Sequence, residues 1–246
     1  MSGPGPGFRL LPPLSTLAMK KLLTFSLIAI FGAAFARADD SHTPRSDLVV
    51  RVETCEAILR EFMASPDTQI PASVWHQARA VMILSQFKAG FIFGVKGGFG
   101  VIMVKKPNGR WSLPVLIDAS EASLGVQAGA KEVETVCIIT DDATPRLLFT
   151  NRVNIGVDAK AVAGPKSAEV ESDAKRVFIA PVLVYTKSVG LFAGATVKAG
   201  RVQRNDLANY TLYNTTYTMP ELLYSDWVTP PPEVQPLMAY VQQLAP

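Results

Sequence analysis

The chain has 246 residues, 24 Lys and Arg against 21 Asp and Glu, two Cys and two His. Hydrophobic content of 48% with only 18% charged residues excludes a disordered chain. Two Cys and two His exclude a disulfide-dense scaffold, a four-Cys zinc site and a His-rich metal centre.

The formal charge of +3 sits at the front of the chain. Arg9, Lys20, Lys21 and Arg37 fall within residues 1–38, which hold no acid; beyond them the balance is 20 basic against 21 acidic residues. Lys20-Lys21, the apolar run Leu22–Phe35 and Ala36-Arg37-Ala38 have the layout of a secretory signal peptide. The run is shorter than the roughly 18–20 residues of a membrane span. The expected organisation is an over-called start (1–18), a signal peptide (19–38) cleaved near Ala38, and a flexible stretch (39–47). A domain (48–228) and a Pro-rich link with a C-terminal helix (229–246) follow. No Cys follows the cleavage site, which speaks against a lipoprotein. The short Lys-led leader suggests an exported bacterial protein, periplasmic or extracellular.

Apolar residues at Leu48, Val52, Cys55, Leu59 and Phe62 repeat at helical spacing and predict an amphipathic helix ending near Ser65-Pro66. Ile70-Pro71 opens a second short helix carrying Val74, Trp75 and Ala78. From Ala80 the texture changes to Val, Ile, Phe and Gly. Strands are expected at 80–85, 89–95, 99–106, 111–118, 123–130 and 132–140, with a hairpin turn at Pro107-Asn108-Gly109-Arg110. A short helix is expected at 143–150, strands at 152–162, 177–186 and 190–199, and a helix from Glu233 to Leu244. Gly90/Gly94, Gly125/Gly129 and Gly190/Gly194 are spaced by four, so each pair smooths one face of a strand. Two readings stay open for them: close packing in a coiled sheet, or a ligand surface.

No G-x-S-x-G elbow, H-E-x-x-H or phosphate-loop lysine motif occurs, and Gly94–Gly100 does not match a dinucleotide fingerprint. His42 and His76 lack partners at catalytic or metal spacing, and Asp141-Asp142 reads as a turn. Cys55 and Cys137 leave a disulfide or two buried thiols open. The expectation is a protein that is not an enzyme, with no cofactor and no nucleic-acid partner. Lys105, Lys106 and Arg110 flank one turn; Lys96 and Lys187 lie near other strand ends. They are either a basic rim for phosphate headgroups or ordinary edge lysines.

Several segments carry a resemblance. These are Ala57-Ile58-Leu59 with Phe62-Met63, Ile70-Pro71 through Ala78, Lys88–Gly94 and Gly98–Val101. Gly109-Arg110-Trp111-Ser112-Leu113-Pro114 follows, then Gly125–Ala130, Gly156-Val157-Asp158 with Ala163-Gly164-Pro165, Tyr185–Gly194 and Asn205–Tyr213. In this order the chain from Glu56 to Tyr213 resembles the SYLF domain family, and Gly109–Pro114 is similar to its G-x-W-S-x-P motif. Val189 stands where that signature carries Lys, and Ser167-Ala168 where it carries Gly-Arg. The resemblance implies binding of lipid or a membrane surface, with anionic or phosphoinositide-type headgroups. The residues chosen for headgroup contact are Lys96, Lys105, Lys106, Arg110 and Lys187. A second possibility is a structural or protein-interaction role in the cell envelope. Actin, implied for some family members, is not expected as a partner of an exported bacterial protein. The fold expected is one α+β domain. Its N-terminal helices pack on a coiled antiparallel sheet or half-barrel, and a C-terminal helix covers it.

Overall fold

The computed structural model describes residues 43–150, 152–155, 161–163, 180–193 and 200–246. The leader segments 1–18 and 19–38 lie outside them, as do His42, Gly156-Val157-Asp158 and Gly164-Pro165. Among the described residues no helix is long and apolar enough to cross a membrane.

Helix α1 runs Arg45–Ala64. It buries Leu48, Val52, Cys55, Ile58, Leu59 and Phe62, the face that the helical spacing predicts. It starts inside the stretch expected to be flexible, where the Arg45 guanidinium is held through two of its nitrogens. Its Nε donates to the Leu212 carbonyl at 3.0 Å and its Nη1 pairs with Glu233 at 2.9 Å. Helix α2, Ala72–Trp75, is one turn long and buries Val74 and Trp75.

Two 25-residue strands follow, β1 (Ala80–Val104) and β2 (Val115–Ile139), paired antiparallel along nearly their whole length. Each replaces several shorter strands of the sequence reading. The breaks expected between them are internal to the ribbon, where the register shifts between Phe91 and Phe93. Residues 111–114 are not strand; only an isolated bridge joins Lys105 to Trp111. Residues 144–150 form a 3-10 turn, capped by Asp141, whose Oδ1 accepts from the Ala143 and Thr144 amides at 2.7 and 2.6 Å.

The remaining strands are β3 (Arg152–Ile155), β4 (Ala161–Ala163), β5 (Val182–Ala193) and β6 (Gly200–Arg204). Among the described residues the sheet order is β3-β6-β2-β5-β4 with β1 on β2, and the sheet does not close. All pairs are antiparallel except β4 with β5. Strand β2 organises the sheet: residues 117–120 pair with β6 and residues 128–139 with β5, while β1 runs beside both stretches.

The ribbon doubles back on itself. Ser85 and Gly98 are thirteen residues apart in β1 and would stand about 40 Å apart in a straight strand. Yet a Cβ at Gly98 would lie 2.0 Å from the Ser85 carbonyl oxygen, and one at Gly100 2.2 Å from that of Ile83. Only glycine allows this approach, so at these two positions close packing is the reason for the residue. Gly90 and Gly129 meet as direct cross-strand partners.

Three further helices complete the domain: α3 (Asp206–Tyr213), α4 (Met219–Tyr224) and α5 (Gln235–Leu244), the last preceded by a 3-10 turn at Pro232–Val234. The sequence reading omitted α3 and α4, although both carry start signals. Asn205 caps α3 by accepting from the Ala208 amide. Thr218 and Glu221 form a capping box with Pro220 in the first turn of α4. Helix α5 is the expected C-terminal helix and packs into the core: Leu237 and Val241 are fully buried, as is Ala245 at its C-terminal cap. Cys55 and Cys137 are both buried as thiols, and desolvation pushes the Cys55 thiol up to about 12.

Candidate functional site

The connection from β1 to β2 builds the site. Pro107 presets the turn, the Gly109 amide donates to the Lys106 carbonyl at 2.9 Å, and Gly109 has φ of 78°. That left-handed conformation favours glycine. The Ser112 side chain then acts as a strand partner: the Val104 amide donates to its Oγ at 3.0 Å, and the Ser112 amide donates to the Val104 carbonyl at 2.9 Å.

Trp111 turns inward and locks the end of the chain. Its Nε1 donates to the Ala245 carbonyl at 2.8 Å, and its backbone amide donates to Gln242 Oε1 at 3.3 Å. The Tyr213 hydroxyl donates to the Pro114 carbonyl at 2.5 Å, and burial pushes its pKa well up, so it stays a neutral donor. Asn209 accepts from the Leu116 amide at 2.7 Å and donates to the Leu116 carbonyl at 2.9 Å. Two segments that carry the resemblance, Gly109–Pro114 and Asn205–Tyr213, therefore hold one another together across the fold. Their conspicuous residues are architectural, except Arg110, which points out.

The five expected headgroup residues separate into two groups and one undescribed side chain. Lys106 is largely buried; its Nζ pairs with Asp226 and donates to the Ser225 carbonyl at 3.3 Å. Arg110 is exposed, and its Nη2 lies 2.9 Å from the same Asp226 Oδ1. The Lys106 hydrogen bond, helped by Arg110, holds the Asp226 carboxyl below the usual carboxylate range. Lys105 Nζ donates to the Pro246 carbonyl. Lys105, Lys106 and Arg110 thus share one end of the molecule.

Lys187 belongs to a different ion cluster. It pairs with Glu61 of α1 and lies 3.9 Å from Glu134 of β2. The Glu61 hydrogen bond raises its pKa. Desolvation, followed by repulsion from Glu61 and Glu132, raises that of Glu134 against the pull of Lys187. Lys96 stands opposite Glu121 in the ribbon, and its side chain lies outside the described residues.

Beside Lys106 and Arg110 opens a groove of about 480 Å³. Its polar wall is Lys106, Arg110, Asp226 and Gln242; its apolar wall includes Val228 and Met238. A charged rim against an apolar wall suits an amphiphile with an anionic end. Asp226 and Gln242 were missed in the sequence reading because they lie more than 110 residues from the turn they meet. The Ser225-Asp226-Trp227 cluster ahead of three prolines was the available signal. Among the described residues no three of His, Cys, Asp and Glu come together as a metal site, and His76 is exposed at the end of α2.

Comparison with known proteins finds relatives over much of the chain. A family model described as "Ysc84: Las17-binding protein actin regulator" matches residues 120–244. LAS seventeen-binding protein 3 of Saccharomyces cerevisiae is 32% identical over 182 residues, 73% of this chain and 39% of the yeast protein. Protein YSC84 of the same yeast is 30% identical over 212 residues, 82% of this chain and 44% of its own length. The human SH3 domain-containing YSC84-like protein 1 is 30% identical over 193 residues, 76% of this chain and 56% of its own. The chain therefore spans about two fifths to three fifths of these relatives. No solved structure gives a significant match.

Proposed function

The chain belongs to the Ysc84 family, the SYLF family of the sequence resemblance, and from that premise we propose that it is a non-catalytic module that binds an anionic lipid surface. The observation that carries this reading is the convergence of Lys105, Lys106 and Arg110 at one end of the ribbon, with an open, half-apolar groove beside the last two. Around Asp226 two cations meet one acid. Around Lys187 one cation meets Glu61 and Glu134. Only the first arrangement leaves positive charge for an anion from outside. Near an anionic bilayer each such charge is worth about 1 kcal/mol, or roughly fivefold in affinity. The charge of residues 1–38 plays no part in the reading.

The test is co-sedimentation with vesicles of phosphatidylglycerol and phosphatidylcholine at low salt. Arg110→Glu is the variant of choice, because that side chain is 64% exposed and its loss leaves the core untouched. Binding that is unchanged in this variant rejects the reading.

A second reading, docking of a protein partner, is favoured by the family description and by the name of the yeast relative, both of which specify Las17 binding. No affinity for anionic vesicles together with a saturable protein partner would select it.

A further inference from the structure

The protein has three tryptophans, and they are not alike. Trp75 is 1% and Trp111 3% exposed, whereas Trp227 is 63% exposed. Leaving so large an aromatic surface in water is costly, and nothing in the packing of the domain requires it.

Trp227 is also held in place. Its ring sits 5.3 Å from that of Tyr217 at an interplanar angle of 54°, and its amide donates to Ser225 Oγ at 3.3 Å. Behind it come Val228, Thr229 and three prolines, with Pro231 in an extended polyproline conformation (φ −60°, ψ 151°). The segment is stiff, so inserting the ring elsewhere would cost little ordering entropy. Directly before it stands Asp226, which Lys106 and Arg110 both engage. A projecting indole therefore neighbours the cationic rim.

We propose that Trp227 is an interfacial anchor that seats this end of the molecule on an anionic bilayer. The inference rests on the lipid reading above and adds the contact that gives it depth and orientation. Indole suits the headgroup region, since its ring is apolar and its N–H finds phosphate or ester oxygen. The cations lie where the headgroups would be. A protein partner is the weaker fit. A stable interface buries about 800 Å² on each side. Among the described residues the other exposed large apolar side chains, Val50, Phe87, Leu147 and Leu207, come from four other elements.

The protein carries its own reporter. With Trp75 and Trp111 buried, acrylamide-quenchable emission comes from Trp227. With phosphatidylglycerol-rich vesicles that emission should shift blue and lose its acrylamide sensitivity, and brominated acyl chains should quench it. Trp227→Ala should lower vesicle affinity about tenfold, the scale of losing one buried aromatic contact, and Trp227→Phe should restore most of it. Near-UV circular dichroism should confirm that the core of both variants is intact.

Vesicle binding with Trp227 still open to acrylamide, or equal affinity of W227A and wild type, overturns the anchor and leaves the lipid reading standing. No binding by the wild-type chain overturns both. Protection of Trp227 by a protein and not by vesicles overturns the anchor in favour of protein docking.

Discussion

Two charged clusters of this molecule look equivalent in sequence and are opposites in structure. At the latched end, Lys106 and Arg110 share Asp226, and the carboxyl is held low. On the α1 flank, Lys187 faces Glu61 and Glu134, and the Glu134 carboxyl is pushed up. Lysines at strand ends therefore do not by themselves make an anion site. What matters is the local ratio of cation to acid, and which side chain is desolvated.

The strongest way to break the comparison is to open the latch. Trp111→Ala removes a buried ring and its bond to Ala245 and should cost about 3–5 kcal/mol, read by urea unfolding. Early proteolysis within 235–246 should accompany it. A loss below 1 kcal/mol would show that Trp111 does not hold α5.

The doubled ribbon is the next target. Gly98→Ala drives a methyl into the Ser85 carbonyl and should cost about 1–3 kcal/mol. A neutral result would mean that the two halves of β1 do not stack.

The smallest effect separates the clusters by pH. A raised carboxyl favours folding in its protonated form, so the Glu134 contribution is present below the ordinary glutamate pKa and is lost as pH rises through its folded value. A lowered carboxyl does the reverse. The Asp226 contacts contribute above about pH 4 and fail as pH falls through the depressed value. Carboxyl carbon NMR should show Glu134 protonating first on acidification and Asp226 well after it. The opposite order would contradict both assignments.

Much of this was legible in the sequence, and the pattern of misses has a physical cause. The buried face of α1 followed from helical spacing, and Asn108-Gly109 marked the turn, because both are local signals. The resemblance pointed to the family through segments that prove to be the latch itself. Continuous 25-residue strands are not legible because polar residues interrupt the apolar runs at 86–88, 96–98, 119–122 and 131. Gly98 and Gly100 let the ribbon cross itself, a contact between residues 83–86 and 98–100 that no local window reveals. The basic site was half legible. Lys105, Lys106 and Arg110 were grouped by proximity in the chain. Lys187 reads as one more basic residue near a strand end, and its acid partners come from α1 and β2.

The most direct test of the latched end as the lipid site is a paired charge reversal measured on one vesicle composition. Arg110→Glu and Lys187→Glu change the net charge by the same amount. Binding to phosphatidylglycerol vesicles should drop roughly fivefold or more in the first and stay within twofold of wild type in the second. Equal losses in both would mean that only overall charge matters, and a loss confined to Lys187→Glu would place the lipid site on the other cluster.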